Sequence, residues 1–167
     1  KAGADAVTTT VNGLGERCGN VPLEQFVAVM KFMYGKDLGI DTTKLKEISD
    51  MVESFSGVSR SLIHPLVGRN AFSHESGIHV AAVLACPLTY ESMDPRLVGN
   101  ERHILMGKHS GLNYIRKRVD DTGLIATDEQ LSEILDMVKV LGEKKGRVND
   151  LEFREIVASV IRPVLTT

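Results

Sequence analysis

The run Val7-Thr8-Thr9-Thr10-Val11, followed by Asn12-Gly13-Leu14-Gly15-Glu16-Arg17-Cys18-Gly19-Asn20, constrains the fold more than any other stretch. A β-branched run of this kind reads as a short buried strand. It breaks at Asn12-Gly13, passes Gly15 and Gly19, and meets a helix start at Pro22. Glycine tolerates positive φ and lets the backbone come close to a ligand. Along the loop stand an acid, a guanidinium, a thiol and two amides. Two readings follow from these residues: a turn with no chemistry, and a loop presenting functional groups at the carboxyl end of a strand, where parallel β/α folds keep their chemistry.

Parallel strands find neighbours through crossover connections, so this strand is expected to lack a partner within the chain. The opening Lys1-Ala2-Gly3-Ala4-Asp5 carries no methionine and reads as the end of a helix with its Gly cap. These features lead us to expect a piece of a larger polypeptide. An orphan strand should then pair with another copy or lose its strand conformation.

The remainder reads as helical. Pro22 opens a helix with Leu23, Phe26, Val27, Met30, Met33 and Tyr34 at core spacing, ended by Gly35. Thr42 or Thr43 caps a second, with Leu45, Ile48, Val52 and Phe55 inward and Gly57 as stop. Ser73 caps a helix running from His74 through Leu84. Residues 102–106 read as extended, and Ser110 caps a helix through Leu112, Ile115 and Val119. Thr127-x-x-Gln130 and Asn149-x-x-Glu152 are capping boxes. The first opens a helix with Leu131, Ile134, Leu135, Val138 and Leu141 inward and Gly142 as stop. The second opens one with Phe153, Ile156, Val157, Val160 and Ile161 inward, closed by Pro163.

A net charge of −2 supplies no positive field for nucleic acid or an anionic membrane, so neither is an expected partner. The clusters at 116–118 and 144–147 are flanked by acids and read as solvated helix faces. Two cysteines, Cys18 and Cys86, form no CxxC pair, which fits a reducing cytoplasm. No apolar run reaches membrane-spanning length.

His74-Glu75 invites comparison with a zinc-binding HExxH helix, but the next histidine falls at 79, five residues on. Five helical residues turn the chain ~500°, setting the two rings roughly 140° apart. That rules out a shared ion on a regular helix. His64 and His103 read as hydrogen-bonded scaffold. For His79 and His109, beside small residues, a site and a scaffold role both stay open.

Three segments, 12–20, 67–79 and 107–111, resemble in order and spacing the C-terminal half of the homocitrate, 2-isopropylmalate and citramalate synthase family. Thr89-Tyr90-Glu91, Asp94-Pro95 and Gly107-Lys108-His109-Ser110-Gly111 lean toward the homocitrate branch. The resemblance implies TIM-barrel metallolyase relatives that condense acetyl-CoA with a 2-oxoacid on a divalent metal (Mg, Mn or Zn), which polarises the substrate carbonyl. It implies that Asn20 approaches the metal through its amide oxygen, and that Glu16 and Arg17 brace the loop or touch substrate. His79 would enter the partner subunit's barrel and aid proton transfer at the acetyl methyl group. His74, Glu75 and His109 would shape the acyl-CoA side. Ala81-Ala82, Arg69 and His103 depart from the family's usual residues, which affects the substrate expected more than the family.

The expected fold is mainly α: the last β/α unit of a TIM barrel (1–36), a linker with a first helical subdomain (37–121) and a second helical subdomain (122–167). Together the last two form an accessory region that mediates a homodimer with exchanged C-terminal parts. The family's His-x-His strand, acidic metal ligand and substrate-binding arginine have no counterpart here, so the chain alone is expected to be inactive, with negligible metal affinity. 2-Isopropylmalate or citramalate synthesis is the alternative chemistry. A non-catalytic helical interaction module is the alternative class.

Overall fold

A computed structural model describes residues 3–161. Contacts divide the chain into two compact units, each discontinuous in sequence. The first holds the chain up to Phe72 together with Met93–Arg102, and the second holds Ser73–Ser92 together with the chain from His103 onward.

In the first unit, β1 (Thr9–Thr10) is shorter than the β-branched run and does have a partner. It pairs in parallel with β2 (Val21–Pro22), Thr9 opposite Val21 and Thr10 opposite Pro22. The expectation of an orphan strand fails because the glycine loop folds back on itself, supplying a parallel neighbour without a crossover helix. A turn at Val11–Gly13 starts the reversal, with Asn12 at φ 59° and Gly13 at φ 69°. Asn20 N donates to Gly13 O at 2.9 Å and closes it.

Helix α1 (Leu23–Ala28) follows β2 directly and continues as a π-turn over Val29–Met33. Its buried face is Glu24, Val27 and Ala28. Met33 and Tyr34, expected in the core, are 76% and 63% exposed. The extra residue in the π-turn rotates them off the α-helical stripe. Helix α2 (Leu45–Ser56) is entered through a turn capped by Asp41, not Thr42 or Thr43, its side chain accepting from Thr43 N. Gly57, at φ 68°, ends α2 as expected. Leu45 and Ser49 are its buried residues, while Ile48 and Phe55 of the expected stripe are 39% and 83% exposed. Leu45, Val67, Phe72 and Val98 form this unit's core. Beside it, Asn100 Nδ2 donates to Leu66 O at 2.8 Å and to Gly68 O at 3.2 Å. At the turn Pro95–Val98, the Asp94 carboxylate caps Arg96 N and receives the Arg96 guanidinium. That hydrogen bonding holds the Asp94 carboxyl down at about 2.

In the second unit, β3 (Ser73–His74) pairs in parallel with β4 (His103–Ile104). Ser73 and His74 are therefore strand rather than cap and first turn, and α3 begins three residues later (Gly77–Ala85). The backbone is drawn into the ladder, where Leu105 N donates to His74 O at 2.8 Å. Since His74 lies outside the helix, the ~140° separation of two rings on one regular helix does not apply to His74 and His79. Helix α4 (Leu112–Asp120) is capped at Gly111. Ser110, expected as the cap, instead accepts from Gly107 N at 3.0 Å.

Helices α5 (Asp128–Lys145) and α6 (Asp150–Val160) open on both expected capping boxes. Gly142 does not stop α5, which runs on to Gly146. A Cβ at Gly142 would come within 2.5 Å of Lys108 N, so this glycine lets the 107–111 turn lie against the helix. Phe153, Ile115, Leu131 and Ile134 anchor one core with Val80, Val119, Val138 and Val157. Full burial of each such side chain contributes about 1.5–3 kcal/mol. The basic clusters pair with acids, as in Arg116–Asp128 at 2.7 Å and Arg118–Asp150 at 2.9 Å. Pro163 lies outside the described residues.

Candidate functional site

The candidate groups fall into two sets, one within each unit. In the first unit, the sequence 12–20 folds as a tight loop whose interior is filled by its own backbone and the Asn20 amide. A Cβ on Gly19 would overlap Gly13 O, and one on Gly15 would overlap the Asn20 amide. At its tip the loop turns Glu16 and Arg17 outward. Glu16 and Arg17 are 91% and 87% exposed and sit 3.9 Å apart. Asn20 is exposed, and its Nδ2 donates to Leu14 O at 3.2 Å. This bond engages the amide nitrogen as donor and leaves the amide oxygen as the group's acceptor.

Underneath, the loop is tied down by groups outside the three motifs. Asn12 N donates to Glu24 Oε2 at 3.1 Å. Asn12 Nδ2 donates to Ser49 O at 2.9 Å, and the Ser49 hydroxyl bonds the Asn12 amide oxygen. Glu24 is only 1% exposed, and its other oxygen lies 2.7 Å from His64 Nε2. His64 is thus the hydrogen-bonded scaffold histidine expected, but its partner was not foreseen. The available signal was a polar residue on an apolar helical stripe: Glu24 ahead of Val27 and Ala28, Ser49 one turn after Leu45.

In the second unit, His74 Nε2 lies 3.1 Å from Glu91 Oε1, both side chains nearly enclosed. Glu75 Oε1 accepts from His109 N at 3.2 Å, so two of the candidates meet through side chain and backbone. Gly77 N donates to His109 O at 3.0 Å, which docks the 107–111 turn on the start of α3. His79 is exposed, its ring 4.2 Å from that of Tyr90 and tilted by 41°. His103 is exposed on β4.

Among the described residues, no three His, Cys, Asp or Glu side chains come together to hold a metal ion. Both cysteines are free and exposed. No helix among these residues is long and apolar enough to cross a membrane.

Comparison with known proteins places these features in a family. The family model described as "HMGL-like" matches residues 1–52, and the one described as "Homocitrate synthase post-HMGL domain-like" matches 66–146. The chain is 45% identical to the homocitrate synthase AksA of Methanopyrus kandleri, over 96% of this chain and 41% of that protein. It is 44% identical to AksA of Methanocaldococcus jannaschii, over 96% of this chain and 39% of the relative. To a 2-isopropylmalate synthase of Sulfolobus acidocaldarius it is 41% identical, over 99% of this chain and 43% of the relative. The chain belongs to the HMGL-like family of homocitrate, 2-isopropylmalate and citramalate synthases, whose members are relatives of TIM barrels. It spans about two-fifths of the length of the relatives just named.

Proposed function

We propose that the protein to which this chain belongs condenses acetyl-CoA with a 2-oxoacid, and that 2-oxoglutarate, giving homocitrate, is its substrate. The observation that carries this reading is continuous similarity to homocitrate synthases across 96% of the chain, with all three sequence motifs inside the matched span. A citramalate synthase matches at the same 45% identity over 96% of the chain and a 2-isopropylmalate synthase at 41%, which makes pyruvate and 2-oxoisovalerate the other candidates.

The roles assigned to individual residues are part of the proposal. Asn20 offers one neutral oxygen, whereas hard divalent ions take about six or more oxygen ligands. In this reading the remaining ligands come from elsewhere in the whole enzyme. Glu16 and Arg17, on the same exposed loop, brace it or meet the substrate. His79 is exposed on the second unit beside the Tyr90 ring, an arrangement that leaves it able to meet another surface. In this reading it serves the active site of a second copy, moving a proton at the acetyl methyl carbon. The His74–Glu91 pair and the Glu75–His109 bond hold the acyl-CoA side in shape. Cytoplasmic location is proposed on the free thiols.

The test is CoA release by the whole protein with acetyl-CoA and each of 2-oxoglutarate, 2-oxoisovalerate and pyruvate. Turnover with 2-oxoglutarate is expected to dominate. A preference for either other acid reassigns the substrate. Absence of CoA release with all three overturns the enzyme reading in favour of an interaction module.

A further inference from the structure

We infer that Glu24 is a positioning residue that fixes the glycine loop, and with it Asn20, by clamping the start of the loop to His64. The inference rests on the proposed function only where it speaks of turnover. A carboxylate with 1% exposure is costly to bury unless its oxygens are hydrogen-bonded. Here each oxygen has a separate partner: Oε2 takes Asn12 N at 3.1 Å, and Oε1 lies 2.7 Å from His64 Nε2. The two partners sit twelve residues before and forty residues after Glu24. One side chain therefore joins the loop, helix α1 and the segment after α2.

The position of Asn12 shows why this matters. It is a non-glycine residue at φ 59°, a left-handed conformation that asparagine tolerates better than most and that contacts here hold in place. Those contacts are Glu24 below and Ser49 on the side, and from Asn12 onward the closed loop leads to Asn20. A favourable interaction of the carboxylate with the N-terminus of α1 is open to any first-turn acid. It explains neither the burial nor the paired partners.

The test uses the whole protein and two readouts. In Glu24→Ala, hydrogen exchange at the amides of residues 12–20 is expected to rise at least ~10-fold while α5 and α6 stay protected. Turnover is expected to fall about 10–100-fold, more in kcat than in KM, as when partners behind a site are lost. Glu24→Gln should restore both within about threefold, because its carbonyl accepts from Asn12 N and its amide donates to His64 Nε2 in the tautomer that carries its proton on Nδ1. His64→Ala, which removes only one arm, should loosen the loop and the segment around residue 64 to a smaller degree; it serves as the reporter if Glu24→Ala does not fold. Unchanged exchange at 12–20 in these variants, or a rise spread evenly over α5 and α6, overturns the inference. Exchange is read whether or not the wild type turns over 2-oxoglutarate, so a failure of the functional proposal stays distinct from a failure of this one.

Discussion

Replacing Phe153 with alanine is expected to lower the free energy of unfolding by about 3–5 kcal/mol, the range for removing a large aromatic from a close-packed core. Phe153 is fully enclosed and belongs to the core built by α4, α5 and α6. The Arg118 guanidinium lies 5.3 Å from its ring centroid, so the substitution also removes a cation–π contact of about 0.5–1 kcal/mol. Typical domains are stable by about 5–15 kcal/mol, which makes this loss a large fraction of the total. Urea denaturation followed by circular dichroism should show a lower midpoint with an unchanged slope. A loss below ~1 kcal/mol would mean that the ring is not a structural keystone.

The second large effect is functional and centres on Gly19. Alanine there meets two penalties at once: a backbone at φ 82° and a methyl group overlapping Gly13 O. The loop must open to accept it, which displaces Asn20 and its neighbours. Misplacing groups at a reacting centre by ~1 Å costs on the order of 10²-fold in rate, and a fall of that size in kcat/KM is expected for the whole protein. Gly35→Ala is the control. It has the same sign of φ, at 62°, but open space around the new methyl. It should cost only about 1–2 kcal/mol of stability and leave turnover intact. Equal losses of activity in the two variants would contradict the steric argument.

What the sequence made legible was local. The boxes at Thr127–Gln130 and Asn149–Glu152 are complete within four residues each, and both formed as expected. Gly57 ended its helix for the same reason. What stayed hidden depends on residues far apart in the chain. The pairing of Ser73–His74 with His103–Ile104 involves two residues per strand, too few for any alternation to show. Gly142 looked like a stop because nothing near it in sequence reveals that the 107–111 turn lies on it. The stripe of α2 misled because Ser49, a polar residue, takes the buried position and bonds Asn12, thirty-seven residues away. The same limit applies to the candidate site. The motifs and the family resemblance nominated Glu16, Arg17, Asn20 and His79, whereas the buried Glu24–His64 pairing under the 12–20 loop left no local trace.

The central claim is that the loop carrying Asn20 and the helix carrying His79 serve active sites in different subunits. Mixing two inactive variants of the whole protein, Asn20→Ala and His79→Ala, tests it most directly. In a two-fold dimer with exchanged parts, each mixed dimer holds one intact site and one doubly defective site, so random reassortment should restore roughly a quarter of wild-type turnover. Recovery of CoA release to that level after subunit exchange is the predicted result. No recovery, with mixed dimers shown to form, would place both residues in the same subunit's site and contradict the account.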